Sequence, residues 1–241
     1  MVVLIGIDCA TQPSKVGLAL GELQGGTVRI RECQTGSTSE LPHAVISSWL
    51  RESGTALLAL DAPLGWSKAL GDALAGHQAG VVMGACSDQL FRRATDLDIK
   101  QRFQKRPLEV GANLISRTSV AALELLEQLR EQTRQDIPLA WCPGDLRPMA
   151  AIEVYPAATR LAHGAPDRSG SLVGLEHLLD CSALGQPLPQ SADAIDALVC
   201  VLAAADFISG KARPPADQDL ARIEGWIWTA ERTADRGMDG G

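Results

Sequence analysis

The sequence is poor in aromatic residues and has no excess of positive charge. Only 4% of its 241 residues are Phe, Trp or Tyr, and 22 Lys and Arg stand against 29 Asp and Glu, which gives a formal net charge of −7. Non-specific nucleic-acid binding depends on Lys and Arg that neutralise phosphates, and unpaired bases stack on aromatic rings. The composition therefore excludes binding through bulk charge or extensive stacking, and any nucleic-acid role needs a local site.

Close cysteine pairs and long apolar runs are also missing. The six cysteines are scattered without a C-x-x-C pair, which excludes zinc fingers and ribbons and argues against a disulfide framework. No apolar run approaches the roughly 20 residues that cross a bilayer, and Asp8 interrupts the first apolar run too early for a signal peptide. The sequence therefore predicts a reduced, cytoplasmic protein with no membrane partner.

Three common catalytic or nucleotide-binding motifs are absent. The sequence has neither the G-x-x-x-x-G-K-[ST] loop nor the G-x-G-x-x-G fingerprint of the common nucleotide folds. It also lacks the G-x-S-x-G elbow of serine hydrolases. The chemistry of this protein must therefore come from other residues.

Patterns of apolar residues predict an α/β domain. Apolar runs between turn residues predict five strands, at residues 2–8, 15–23, 27–33, 55–61 and 150–156. The Gly25-Gly26 pair predicts a hairpin, so we expect the first three strands to form an antiparallel meander. A crossover helix before the fourth strand would make that strand parallel to a neighbour.

Helical spacing of apolar residues predicts two further helices, at residues 116–135 and 192–209. The stretch at about 65–115 is irregular and dotted with glycine, which is typical of an insertion that contains short helices. We therefore expect a single domain over residues 1–230 and a disordered tail at 231–241.

Carboxylates stand at the ends of two predicted buried strands. Asp8 ends the first strand and Asp61 ends the fourth, and open α/β sheets present functional groups at such strand ends. A small residue, Gly6 or Ala59, precedes each acid on the same face of its strand and leaves room for a ligand. Either acid alone could instead be a turn former that accepts hydrogen bonds from nearby amides.

Three further acids lie in apolar surroundings. Asp193 and Asp196 share one face of the last long helix, although the pair could equally act only on the helix dipole. Glu153 lies within the fifth strand, where it could serve the site or simply pair with an arginine. Acids brought together would repel one another unless cations bind between them, and Mg²⁺ or Mn²⁺ suits an all-oxygen site.

Several motifs together resemble one family. GIDCA at the first strand, LDAPLG at the fourth, EVYPAATR at the fifth and SADAIDALVCVLAA on the last helix are similar to the family of domains of unknown function numbered 429, and FRRATDLD, PLEVGANLISRTS and EGWI add to the match. The resemblance covers nearly the whole chain, and the order of the motifs is more specific than any one of them. The family is predicted to consist of nucleases with an RNase H-like fold. The resemblance thus implies a mixed five-strand sheet flanked by helices. The residue patterns independently predict three antiparallel strands followed by parallel ones, with an insertion after the fourth.

The resemblance also implies roles for the acids. Asp8 would be the carboxylate that bridges two metal ions, and Asp61 would be the acid at the end of the fourth strand. Asp193 and Asp196 would be the acids of the closing helix, as in Holliday-junction resolvases of this fold, and Glu153 is a further candidate metal ligand. In such a two-metal mechanism one ion lowers the pKa of the attacking water and the other stabilises the leaving oxygen, so no protein nucleophile is needed.

Basic residues are candidates for binding the phosphates of a substrate. Residues 92–106 carry six Lys or Arg against two Asp, a local charge of +4, and the resemblance favours Arg92 and Arg93 as phosphate ligands. Lys15, which follows the first strand, is a further candidate. A solvated helix face is the alternative for the basic segment.

The sequence thus predicts a metal-dependent nuclease that uses Mg²⁺ or Mn²⁺ and binds nucleic acid. Two alternatives stay open. GIDCATQPSKVGLAL also resembles the phosphate-binding hairpin of actin-like sugar kinases, which would make the protein an ATP-dependent phosphotransferase. The other alternative is a non-catalytic binding module of the same fold, and the sequence leaves homo-oligomerisation open.

Overall fold

The computed structural model describes residues 2–111, 113–146, 148–185 and 187–232. Most of the predicted disordered tail, residues 233–241, lies outside the described residues. Within them the strands are β1 (Val3–Asp8), β2 (Gly17–Gln24), β3 (Thr27–Thr35), β4 (Ala56–Asp61), β5 (Met149–Glu153) and β6 (Leu179–Asp180). The helices are α1 (Pro42–Arg51), α2 (Lys68–Leu74), α3 (Ser87–Phe91), α4 (Ala94–Phe103), α5 (Asn113–Thr133), α6 (Pro156–Ala162), α7 (Ala192–Ile208) and α8 (Gln218–Glu224). Single 3-10 turns occur at Pro13–Lys15, Pro143–Asp145, Glu176–Leu178 and Ser182–Leu184.

The six strands form one mixed sheet in the order β5-β4-β1-β2-β3-β6. The predicted meander is confirmed, since β1, β2 and β3 pair antiparallel, and Gly25 and Gly26 form its turn with φ values of +56° and +91°. The prediction that β4 lies parallel to a neighbour is also confirmed, because β4 pairs parallel with both β1 and β5. The sheet has one strand more than predicted, because β6 adds a two-residue parallel strand beside β3.

The predicted fifth strand is too long at its carboxyl end. The apolar pattern predicts that it reaches Pro156, but β5 ends at Glu153 and Pro156 is the first residue of α6. Proline has no N–H for a ladder bond, and its fixed φ fits the first helical position, where that N–H is not needed. The same chain segment therefore turns directly from strand to helix.

The sheet lies between two layers of helices. On one face α1 and α5 pack through residues such as Ile46, Leu50 and Leu126 against Ile5 and Leu58. On the other face α7, apolar nearly all round, packs on β1, β2 and β4 and is buried along most of its length. No helix among the described residues is long and apolar enough to cross a bilayer. This layering leaves the carboxyl ends of β1, β4 and β5 facing the region of α2–α4, which occupies the predicted insertion.

Two glycines let α7 lie directly on the sheet. A Cβ added at Gly6 would lie 2.0 Å from the carbonyl oxygen of Ala197, and one added at Gly17 would lie 1.9 Å from that of Asp193. Backbone atoms cannot yield as the end of a flexible side chain can. The close approach of the helix to β1 and β2 therefore depends on these two residues having no side chain.

We expect Gly17→Ala to destabilise the protein by about 2–4 kcal/mol, since the added methyl must push the first turn of α7 off the sheet. Urea unfolding followed by circular dichroism measures this difference. Gly54→Ala is the matched control, because Gly54 has open space around its Cβ position and does not have a positive φ. Equal unfolding midpoints for the two variants would contradict the close approach of α7.

Candidate active site

Asp8 and Asp61 are brought together by the pairing of β1 with β4. The two strands are parallel and in register, so that Asp8 lies directly beside Asp61, at the usual interstrand spacing of roughly 4.8 Å. Each acid shares the strand face of Leu4 or Leu57, which packs against α7. Within the described residues neither carboxylate has a hydrogen-bond or ion-pair partner. The structure thus places two unpartnered carboxylates side by side at the carboxyl ends of buried strands.

These two acids open into a cavity of about 200 Å³, which is also lined by Pro107, Leu108 and Tyr155. Burial, with the charges of Asp61, Asp196 and Asp193, raises the pKa of Asp8 to about 9. Burial, with the charges of Asp196 and Glu153, raises the pKa of Asp61 to about 8. Without a cation the pair therefore holds at least one proton at neutral pH.

The first turn of α7 brings its two acids against the same pair. Asp193 lies where the backbone of α7 touches Gly17, and Gly17 is the residue opposite Asp8 in β2. The Asp193 carboxylate is half-buried and has one hydrogen bond, 3.4 Å, from the Ser191 hydroxyl. Asp196, one turn further on, also raises the pKa of Asp8 and Asp61 by its charge. All four predicted aspartates thus lie close enough to interact, and we call Asp8, Asp61, Asp193 and Asp196 the acid cluster.

Glu153 lies on the other face of the sheet from Asp61. It pairs in register with Leu60, and its alternation places it with Met149 and Ala151. Its side chain is only 3% exposed, and Arg93 holds it with two hydrogen bonds, Nη1 to Oε2 (3.0 Å) and Nη2 to Oε1 (2.8 Å). Glu153 therefore pairs with an arginine, which is the alternative that the sequence left open. With both carboxylate oxygens engaged, Glu153 forms a wall of the cavity, and its predicted role as a metal ligand is not retained.

Arg93 is a buried structural cation, not an accessible one. Only 1% of it is exposed, and besides Glu153 it binds Asp96 at 3.0 Å and the backbone oxygen of Glu224 at 3.0 Å. Its guanidinium therefore has no surface to offer a phosphate, which corrects the expectation for Arg93. The sequence could not show this, because its main partner, Glu153, lies 60 residues away.

The rest of the basic segment is also largely engaged by acids. Arg92 pairs with Glu109 and Asp88, and Arg102 pairs with Asp98. Lys105 pairs with Asp167. Lys100 and Arg106 make no ion pair among the described residues. Most of the predicted +4 charge is therefore neutralised within the fold.

Lys15 and Arg106 are exposed cationic residues near the carboxyl ends of the central strands. Lys15 is exposed in the turn that joins the end of β1 to the start of β2. Arg106 is exposed and directly precedes Pro107 and Leu108, which line the cavity. The phosphate role of Lys15 stays a prediction, and Arg106 is the exposed residue of the basic segment that lies next to the cavity lining.

Sequence reasoning missed Arg160 and Tyr155. Arg160, on α6, is 1% exposed and binds Asp196 of the acid cluster. Tyr155 lines the cavity, and burial together with the charge of Asp61 raises its pKa, so that it keeps its hydroxyl proton at neutral pH. Arg160 is the single charged residue of α6, and this was the available signal, since a buried arginine requires a partner acid.

The acid cluster fits one divalent cation better than a closed cage of ligands. Among the described residues no group of three His, Cys, Asp or Glu side chains is arranged to hold an ion. Asp8 and Asp61, however, are two unpartnered carboxylates on one cavity, and Mg²⁺ is usually held by one or two carboxylates, with water and substrate phosphate in its other positions. The pair therefore suits a magnesium ion, and a cage of four carboxylates is not formed.

The raised pKa values predict how stability depends on pH. A carboxyl whose pKa is raised on folding contributes stability below its unfolded value, 3.8, and loses it as pH rises toward about 8 for Asp61 and about 9 for Asp8. We expect the free energy of unfolding in EDTA to fall steadily as the pH rises across this window. Urea titrations of wild type and Asp61→Asn at pH 5.5, 7 and 8.5 measure the difference. The fall should be smaller in Asp61→Asn, and parallel pH curves would contradict the repulsion.

A family model described as "Protein of unknown function (DUF429)" matches residues 6–220. Two solved structures are similar over most of the chain. Thermus thermophilus RuvC is 11% identical, with a TM-score of 0.41, over 88% of this chain and 99% of that one. T. thermophilus RuvC in complex with a Holliday junction substrate is 13% identical, with a TM-score of 0.42, over 89% and 100%. No curated protein matches.

Proposed function

The chain belongs to the family of proteins of unknown function DUF429, and we propose that it is a divalent-metal-dependent phosphodiesterase that hydrolyses nucleic acid. The proposal includes an RNase H-like domain over residues 1–230, with residues 65–115 as its insertion. The strand order β3-β2-β1-β4-β5, antiparallel on one side of β1 and parallel on the other, supports that fold. The single observation that carries the activity is the unpartnered pair of Asp8 and Asp61 in an open cavity.

A divalent cation is the group that such a pair favours. Two buried negative charges side by side repel each other, and no side chain among the described residues forms an ion pair with Asp8 or Asp61. When bound, Mg²⁺ or Mn²⁺ offsets the charge of a phosphodiester and acidifies a water molecule. The role of Asp8 and Asp61 is to hold the ion on the floor of the cavity. No side chain is then needed as a nucleophile.

The other groups at the cavity have fixed tasks in this proposal. The Arg93–Glu153 pair makes one wall rigid, and Glu153 also accepts a hydrogen bond from the Leu64 amide at 2.9 Å, next to the turn that follows Asp61. Tyr155 keeps its proton and can donate a hydrogen bond to a phosphate oxygen. The Cys9 thiol, whose pKa burial and the neighbouring Asp61 and Asp8 raise, stays protonated and does not compete as a nucleophile.

A nucleic-acid substrate is supported by what surrounds the cavity. Lys15 and Arg106 provide exposed positive charge at the same end of the sheet. The chain as a whole carries −7, so attraction to a polyanion must be confined to this end. The scarcity of aromatic residues favours recognition of the phosphate backbone over stacking on bases.

The test is a cleavage assay with labelled single-stranded DNA, duplex DNA, RNA, an RNA–DNA hybrid and a four-way junction. We expect cleavage of at least one substrate in Mg²⁺ or Mn²⁺ and none in EDTA. Asp8→Asn, purified in parallel, controls for contaminating nucleases. Folded wild-type protein that cleaves none of these substrates would contradict the proposal. Thermal stabilisation by ATP without cleavage would favour the phosphotransferase instead.

A further inference from the structure

Arg160 places a permanent positive charge inside the acid cluster. It lies on α6, which follows directly from β5, and its Nε donates to the backbone oxygen of Ser171 at 3.1 Å. Its Nη2 donates to Oδ1 of Asp196. Asp196 directly precedes Ala197, whose carbonyl oxygen lies against Gly6, two residues before Asp8. A single buried guanidinium thus pairs with the aspartate of α7 that packs beside the end of β1.

Asp196 is satisfied by groups of the protein itself. Besides Arg160, its Oδ1 accepts a hydrogen bond from the Gly170 amide at 2.8 Å, and its Oδ2 accepts one from the Ser169 hydroxyl at 2.7 Å. Asp196 is 8% exposed, so little of it faces the cavity. Three donors thus compete with an ion for Asp196, whereas Asp8 and Asp61 have no such donor among the described residues.

The loop at residues 169–170, which donates two hydrogen bonds to Asp196, is fixed by its packing on α7. Gly170 has φ +67°, and a Cβ there would lie 2.8 Å from the Cβ of Ala192, the first residue of α7. The loop therefore packs on the start of the helix that carries Asp196, and glycine allows both the positive φ and the close contact. The amide that binds Asp196 is fixed in place by the backbone.

We propose that Arg160 takes the place of the second metal ion, so that the acid cluster loads one divalent cation, on Asp8 and Asp61. This inference rests on the proposed function and refines its mechanism. Four carboxylates carry at most four negative charges; Arg160 offsets one, and one divalent ion offsets two more. A second divalent ion would have to enter beside a buried guanidinium that repels it.

Arg160 is accordingly a positioning residue. It keeps Asp196 turned away from the ion and keeps one side of the cluster positively charged in every state of the reaction. Because arginine cannot be deprotonated in proteins, this charge does not vary with pH or with metal concentration. The charge supplied by a second metal ion would instead depend on the metal concentration.

Counting bound Mn²⁺ by calorimetry and by the electron paramagnetic resonance signal of free Mn²⁺ tests this. We expect one ion per wild-type chain. Asp8→Asn loses a ligand and should weaken Mn²⁺ binding at least about a hundredfold, whereas Asp196→Asn should still bind one ion, at most about tenfold more weakly, because it loses a nearby charge and no ligand. Arg160→Lys should also keep one ion, because it keeps the charge. Arg160→Gln removes the positive charge from Asp196, which keeps only the neutral donors of Gly170 and Ser169, and the variant should bind a second ion or bind the first about tenfold more tightly.

The outcomes separate the two proposals. Two ions in the wild type, one of them lost in Asp196→Asn, would overturn the role of Arg160 and leave the metal-dependent function standing. The role of Arg160 is overturned in the same way if folded Arg160→Gln binds one ion with unchanged affinity. If that variant fails to fold by circular dichroism, the wild-type count and Asp196→Asn decide. No ion bound by the wild type would overturn the proposed function itself.

Discussion

Replacing Asp8 by asparagine should lower the rate of phosphodiester cleavage at least about 1,000-fold, equivalent to about 4 kcal/mol of transition-state stabilisation. Asp8 lies beside Asp61 and supplies half of the only unpartnered carboxylate pair among the described residues on this cavity. Asparagine keeps the size of the side chain and removes its charge, so the loss would report on cation binding. Single-turnover cleavage of the best substrate in Mg²⁺ is the measurement.

The same substitution should stabilise the fold in EDTA. Removing one charge relieves the repulsion that raises the pKa of both acids, so the melting temperature should rise by several degrees, at about 2–4 °C per kcal/mol for a chain of this size. Asp72→Asn is the matched control, because Asp72 is an exposed acid that pairs with the exposed Lys68. An Asp8→Asn protein that is inactive and also less stable would indicate structural damage, and one that stays active would remove Asp8 from the mechanism.

Replacing Arg93 by alanine should cost about 3–5 kcal/mol of folding stability. The substitution leaves Glu153 and Asp96 buried without the guanidinium that binds both. The expected loss is a large share of the total free energy of unfolding, which is typically about 5–15 kcal/mol. Urea unfolding at pH 7 measures it, and a fully unfolded variant is consistent with the upper end of the range.

Two further variants separate the buried network from a general effect of losing an arginine. Arg31→Ala removes a more exposed arginine that pairs with the buried Glu22, and it should cost only about 1–2 kcal/mol, because Gln24 also donates to Glu22. Adding Glu153→Gln to Arg93→Ala removes one of the stranded charges and should restore part of the lost stability. If Arg93→Ala unfolded at the same urea concentration as Arg31→Ala, the buried network would contribute little.

The local elements could be predicted from the sequence because short-range patterns determine them. The alternation and apolar content of β1–β4 and the Gly25-Gly26 turn predict the meander and its parallel neighbour, and both are present. Asp8 and Asp61 are recognisable because they end two such strands. Strand ends at one edge of a sheet meet regardless of the details of packing, which is why this pair could be foreseen.

Which acids are free and which are paired was decided only by the tertiary structure. Glu153 and Asp61 look alike in sequence, but a register that puts Glu153 beside Leu60 sends the two side chains to opposite faces of the sheet. Arg93 reaches Glu153 across 60 residues, and Arg160 reaches Asp196 across 36. No periodic pattern in the sequence indicates either of these two ion pairs.

The sequence by itself therefore determined the strands β1–β4, the start of β5, the long helices and the candidate acids. The tertiary structure decided that two aspartates stay open to a ligand while Glu153 and Asp196 are neutralised by buried arginines. The physical reason is that secondary structure depends on neighbours three or four residues apart, whereas the state of a buried charge depends on whichever opposite charge the fold brings within about 3 Å.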